Sequence, residues 1–331
     1  MDAISDACAA LLAEGQYHAP QYGNRLTNHL PMALVALDRL DADAATLRRF
    51  ADGYALRLGS VALSSSSLDP HDYLGSSGDY PRFVRFFQER IHEAGVEAVL
   101  RDWAPVLIPG LAASAFHAMI RLAYAIDSGV EDEIARALAY WASEYASLPL
   151  SLEPAEGSRD EIADRLRAKM TGHVFKPGII IDRMLEVAWH PLLAGAVVQP
   201  HAAPALADIA RFGLDAYWAR EDFTLLHVVT GCHAFRVVRP FVSDQAQALR
   251  YLWQAVLAAW LTVVTAPPGR EADAEAWPEA DRATIAAQAR LSSDDHTIKL
   301  CHSALCEYSE YGDRRYLRAA ARKLGIVVSQ V

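Results

Sequence analysis

The sequence predicts an all-α protein, a single large multi-helix domain over residues 1–331. Three observations predict it. Apolar residues recur at helical spacing through most of the chain, and the period-two alternation of half-buried strands is nearly absent. Hydrophobic residues make up 52% of the chain, ample for a sizeable core. No repeat at a fixed period and no low-complexity tract beyond a short serine run points to a solenoid or a linker array. A length of 331 residues also suits two domains of about 150 residues each. The polar stretch 151–158, which carries Pro154, is the best candidate for a subdomain boundary.

Taken in order, residues 2–14 read as a helix stopped by Gly15. A loop of aromatics and turn formers fills 18–24. Thr27 or Asn28 then caps a helix over 29–37, where Pro31 falls in the first turn and its missing donor is not needed. A further helix covers 43–54. Residues 60–79, with serines at 64–67, Asp69-Pro70, Gly75 and Gly78, are poor in helix formers; a loop this long inside a compact domain reads as a lid or binding loop. Helices follow at 80–94 and 96–103, then a break at Pro109-Gly110, a strongly apolar helix over 111–126 and an amphipathic one over 131–146. Beyond the polar stretch come helices at 159–170, 179–187, 203–218, 222–238, 243–264, 279–289, 295–308 and 313–323, with 272–278 as an exposed acidic connector.

Charge and composition exclude several classes of function. The net charge of −10 argues against a nucleic-acid or anionic-membrane partner, since both demand clustered Lys and Arg. The first residues lack the basic region of a signal peptide. The most apolar segment, 251–266, is shorter than the ~20 residues of a spanning helix and is interrupted by Gln254. Cys8, Cys232, Cys301 and Cys306 form no CxxC pair and read as reduced, buried, structural thiols. The expectation is a soluble cytoplasmic protein. There is no GxGxxG and no Walker loop to hold a nucleotide.

The chemistry lies in the histidines. Six of the twelve, His18, His71, His92, His173, His190 and His201, fall in loops, at helix ends or on polar faces. His29, His117, His227 and His296 instead lie on four separate apolar helical segments. His233 is six residues beyond His227, about 120° round the helix, so the two cannot easily aim at one point. His302 is likewise turned away from His296. Each of the four, taken alone, reads as a core imidazole paired with a carbonyl or carboxylate. Four together also read as ligands of one metal ion in a helical core. Spacing leaves both readings open, for there is no HExxH, no 2-His-1-carboxylate spacing and no clustered Cys/His motif. At the start of the 295–308 helix, His296 and Lys299 share a face. A lysine there either snorkels to solvent or is buried and shifts toward its neutral form.

The ordered set of motifs around these histidines resembles the questin oxidase-like family. Tyr22-Gly23-Asn24 through Asn28-His29-Leu30-Pro31 resembles that family's N-terminal Asn-His-Leu-Pro helix; Phe116-His117-Ala118-Met119-Ile120-Arg121 resembles its central histidine helix. Leu226-His227-Val228-Val229-Thr230 resembles the third, and Asp294-Asp295-His296-Thr297-Ile298-Lys299 the C-terminal Asp-x-His-x-x-Lys motif. One departure is Met32, where fungal members often carry a second histidine.

The resemblance implies a helical oxidoreductase with a buried metal site, an oxygenase that uses O2 to cleave or oxygenate a polycyclic aromatic, quinone-type substrate. Its members are described as Baeyer–Villiger-type, NADPH-linked oxidases and as non-heme iron enzymes with a carboxylated lysine. Carried onto this chain, the ligands of Fe(2+), or of zinc or another divalent metal, are His29, His117, His227, His296 and Lys299. Asn28, Arg121, Thr230 and Asp295 lie within reach on the same segments and are expected around those ligands. NADPH enters as a co-substrate for which no binding motif is seen. Two other classes stay open: a zinc-type hydrolase using the same ligands, and a non-catalytic binding protein with a pocket lined by Tyr17, Tyr22, Tyr124 and Trp218.

Overall fold

Side-chain oxygens start many of the helices that the apolar pattern predicts. Ser5, Asp43, Asp222, Asp244, Asp281 and Asp294 each accept a hydrogen bond from a backbone N–H of the first turn, and Ser158 does so within a capping box with Glu161. Each cap satisfies a donor that the helix itself leaves free. The computed structural model describes residues 3–265 and 278–326. Of the acidic connector expected at 272–278, all but Pro278 lies outside the described residues.

The helices, in chain order, are α1 (Asp6–Glu14), α2 (Leu30–Arg39), α3 (Ala44–Ala55), α4 (Tyr80–Ala94), α5 (Val96–Leu107), α6 (His117–Ser128), α7 (Glu131–Ser143), α8 (Arg159–Met170), α9 (Ile180–Ala188), α10 (Leu206–Arg220), α11 (Phe223–Val238), α12 (Gln245–Val264), α13 (Arg282–Ala289), α14 (Asp295–Tyr311) and α15 (Arg315–Lys323). The strands among the described residues are two residues long each. Gln21–Tyr22 pairs antiparallel with Leu26–Thr27, and Pro154–Ala155 pairs in parallel with Gln199–Pro200. The protein is therefore all-α, as its sequence predicts. No helix among the described residues is long and apolar enough to cross a membrane.

The centre of the structure is the group α2, α6, α11 and α14. α2 packs on α6 and α14, and α11 packs on α6, α10, α12 and α14. α11 is buried almost end to end, and its middle residues pack on every side. An apolar helix with no polar face belongs in the interior rather than on a surface.

The largest late start against the sequence expectation is at the helix expected over 111–126. Residues 111–116 are not helical, so His117 is the first residue of α6 and not a mid-helix residue. Ser114, Ala115 and Phe116 stand in succession in the left-handed region, at φ 48°, 56° and 70°. Such residues each cost on the order of 1–3 kcal/mol and persist only where packing over-determines them. Here Phe116 is fully buried and its ring lies against Gly231 of α11, where an added Cβ would meet Phe116 Cγ at 3.1 Å. The small residues near His227 thus make room for a phenylalanine ring. The loop 60–79 forms two short 3₁₀ turns, Pro70–Asp72 and Ser77–Asp79.

Candidate metal centre

Each of the four histidines is set by the local backbone before any long-range contact is made. His29 is the residue before the first turn of α2, and Asn28 fixes it. The Asn28 side-chain carbonyl accepts from Leu30 N at 2.9 Å, and its amide donates to Ala19 O at 3.1 Å. The His29 backbone N–H donates to the Tyr54 hydroxyl at 3.0 Å. His117 turns its Nδ1 onto Ser114 O, the carbonyl that the left-handed loop presents. His227 donates from Nδ1 to Phe223 O, one turn back on α11, at 2.7 Å. His296 follows the Asp294 cap in the first turn of α14, and Lys299 stands one turn on.

Tertiary packing brings them together. The His29 ring stacks on His117, with centroids 4.6 Å apart and planes 21° apart; it meets His296 edge-on, also at 4.6 Å. His117 and His227 have centroids 4.5 Å apart, and His227 and His296 5.1 Å. One donor atom from each of His29, His117 and His296 lies within 4.8 Å of the other two. His227 joins through His117, their Nε2 atoms 3.0 Å apart. Lys299 is 2% exposed, with Nζ 3.1 Å from His29 Nδ1. Asp295 ties the group together: its Oδ2 contacts His29 Nδ1 and lies 3.1 Å from His296 Nδ1 and 3.9 Å from Lys299 Nζ.

The donor set fits a cation. His117 and His227 both spend the proton on Nδ1 in bonding a carbonyl, so both Nε2 atoms carry bare lone pairs. Two lone pairs 3.0 Å apart repel unless positive charge lies between them. Two neighbouring imidazole ligands at right angles on one ion, with bonds of ~2.0–2.1 Å, would stand about 3.0 Å apart. The Asp295 carboxylate against the His29 Nδ1–H is the partner that orients a metal-binding histidine.

Electrostatics agree with an uncharged nest of donors. Burial, then the neighbouring basic groups, hold His29, His117 and His227 well below the usual imidazole range, though the Ser114 and Phe223 carbonyls oppose this at His117 and His227. His296 is lowered too, by burial, against the pull of Asp294 and Asp295. Burial lowers Lys299 from 10.5 to about 8, although Asp295 and Asp294 act to raise it.

A pH dependence follows from these directions. Unfolded imidazoles take up protons near pH 6.5, whereas the folded ones stay neutral to lower pH. Below about 6.5 the unfolded state therefore binds more protons, and stability falls as pH falls. With metal stripped by a chelator, the loss should approach about 1.4 kcal/mol per pH unit for each histidine. Urea midpoints between roughly pH 7.5 and 5 measure it, and a midpoint flat across that window would show the rings titrating freely.

Beside the histidines lies a cavity of about 340 Å³. His29, His117 and His296 form one wall, Ile179, Ile180, Ile181 and Phe223 line others, and Arg25 and Arg183 also border it. The loop 60–79 contributes none of its lining, so the lid expected there does not cover this cavity. Of the four aromatics expected around a pocket, Tyr22 lines this cavity and Tyr124 lines another. Tyr17, half exposed, and Trp218 line neither.

Of the supporting residues, Asp295 touches the cluster and Asn28 positions His29. Arg121 does neither: it is buried in an ion pair with Glu133, at 2.7 and 3.1 Å, over the Tyr140 ring. The Thr230 hydroxyl bonds back to Leu226 O and His227 O within its own helix. Both side chains were expected by proximity along the chain, but a side chain one turn on from a ligand can bond back to its own helix, as Thr230 does, or pair with a neighbouring helix, as Arg121 does with Glu133 of α7. Phe223 was missed. Its ring lies 4.7 Å from His227 and 4.6 Å from His296, and a position four residues before His227 on one helix is the signal that marks it.

The family model described as questin oxidase-like matches residues 26–197 and 198–304, a span that holds all five proposed ligands. No curated protein matches the chain. With most of its length matched in two adjoining segments, and with the motif histidines of that resemblance meeting in one buried cluster, this chain belongs to the questin oxidase-like family.

Proposed function

We propose that this protein is an iron-dependent oxygenase that cleaves or oxygenates a polycyclic, hydroxylated quinone-type aromatic with O2. Family membership points to an oxidoreductase acting on polyketide-type substrates. The observation that carries the metal is the pair of carbonyl-anchored histidines with Nε2 atoms 3.0 Å apart. His29, His117, His227 and His296 would hold the ion, with Lys299 as the fifth ligand after carboxylation of its amine. Imidazoles and one carboxylate suit Fe(2+), which when bound supplies one-electron and O2 chemistry.

The chain's own residues supply the rest. The Ser114 and Phe223 carbonyls lock the His117 and His227 tautomers, so neither ring must reorganise when the site fills. Asp295 accepts the His29 Nδ1 proton and keeps that ring basic at its other nitrogen. The lowered Lys299 pKa leaves part of its amine unprotonated near neutral pH, the form that adds CO2. The isoleucines 179–181 and Phe223 offer apolar faces to a flat ring beside the histidines. A volume of about 340 Å³ is at the lower end of the range for small-molecule sites, suited to a compact planar ligand. Arg183 and Arg25 place positive charge where a phenolate or carboxylate substituent would bind, although Asp182 answers Arg25 at 2.7 Å.

The test is metal analysis and turnover of hydroxylated anthraquinones in air and without oxygen, each with and without NADPH. Expected are about one iron per chain in this site and turnover only in air. Equal turnover without oxygen would replace the reading by a hydrolase. Tight ligand binding by a metal-free protein without turnover would replace it by a binding protein.

A further inference from the structure

The two histidines that helix geometry turns away from the first centre meet each other on the far side of α11 and α14. α11 gives His227 to the first centre and His233, six residues on, to the second. α14 gives His296 and Lys299 to the first, and His302 and Cys306 to the second. One donor atom from each of His233, His302 and Cys306 lies within 4.8 Å of the other two. All three line a separate cavity of about 540 Å³, which Tyr124 and Arg236 also border.

We propose that His233, His302 and Cys306 form a second metal site, for a thiophilic divalent cation of the zinc class, with its fourth position open to the cavity. The geometry has three parts. His302 and Cys306 are four residues apart on one helix and so share a face, with His302 Nε2 3.6 Å from Cys306 Sγ. Tetrahedral nitrogen and sulfur ligands with bonds of ~2.0 and ~2.3 Å stand about 3.5 Å apart. His233 donates from Nδ1 to Glu307 Oε1 at 2.8 Å, which leaves Nε2 as the free donor.

The surroundings are built as metal sites are built. Glu307, 1% exposed, is a carboxylate behind a ligand histidine, and Arg236 holds it at 2.7 and 2.9 Å. The Tyr124 hydroxyl stands 3.2 Å from His302 Nδ1, so that ring is fixed at the nitrogen remote from the cysteine. Of the cations bordering the cavity, Arg236 is answered by Glu307 and Arg39 by Asp127, while Arg282 donates to the Ser309 hydroxyl. Before metal binds, the Cys306 S–H can reach His302 Nε2 only as a weak hydrogen bond. Binding breaks the S–H bond: the proton leaves to solvent, the sulfur electron pair forms the metal bond, and nothing is oxidised.

Cobalt(II) added to chelator-stripped protein reads this site separately, because the first centre has no sulfur donor. A thiolate-to-cobalt absorption band in the near ultraviolet is expected in the wild type and in His117→Ala, and is expected to be lost in Cys306→Ser and His233→Ala. The unmutated protein gives a second reading. Cys8, Cys232 and Cys301 are buried while Cys306 is partly open, so alkylation should map to Cys306 and be lost on adding zinc. The absence of the band at saturating cobalt, its survival in Cys306→Ser, or unchanged Cys306 alkylation with zinc would each overturn the proposal. Should Cys306→Ser not fold, the alkylation result on the wild type decides.

Discussion

Replacing His117 with alanine is expected to leave a folded protein that holds no metal in the first centre and has lost more than ~100-fold in turnover, beyond the usual cost of losing a ligand's orienting partner. The reason lies in its position. His117 touches two others of the cluster, stacked on His29 and Nε2 to Nε2 with His227. Without it, the pair of bare Nε2 donors 3.0 Å apart is lost. Stability should change little, because the ring borders a cavity on one side and makes no hydrogen bond to another element's backbone. Metal analysis, circular dichroism and turnover check this, with exposed His201→Ala as the control. A variant that keeps iron and activity would remove the cluster from the mechanism.

Lys299→Met is expected to do two opposed things: abolish activity and stabilise the metal-free protein. The lysine pKa is near 8 folded and 10.5 unfolded. Between those values the unfolded state holds more protons, so stability rises with pH there. Below about 8 the cost of burying the ammonium is present in full, and above about 10.5 it is gone. That cost is on the order of 3 kcal/mol at neutral pH. Methionine keeps most of the volume without the charge. Urea unfolding of chelated wild type and variant should differ by about that much near pH 7 and converge toward pH 10.5. Lys299→Glu, which carries a carboxylate without needing CO2, is expected to recover part of the metal binding that Lys299→Met loses. A Lys299→Met protein with full iron and turnover would exclude the lysine as a ligand, and an unchanged urea midpoint would show that its amine is not held in a dry site.

Much of this was legible residue by residue. The Asp294 cap and the three-residue step from His296 to Lys299 gave the face that both share. The step from His227 to His233 showed correctly that they serve different sides of α11. What the same step left unread was the destination of the second side, because nothing local says that His233 will face His302 and Cys306 of another helix. Helix extent failed at 111–116, where apolar residues continue the period but packing of Phe116 on Gly231 forces three left-handed residues. The partner of Arg121 was unreadable for a related reason: a charged side chain on a helix has several neighbours within reach, and it pairs with Glu133 of α7.

The sequence by itself determined the class of fold, the helix that carries each histidine, the face on which each sits, and the family. Those properties depend on periodicity and caps, which act over a few residues. The meeting of α2, α6, α11 and α14, the 3.0 Å between two imidazole nitrogens, and the meeting of His233 with His302 and Cys306 were decided only by the tertiary structure. Distances between side chains on separate helices depend on crossing geometry and on which neighbours fill the space between them, and the local pattern does not encode these.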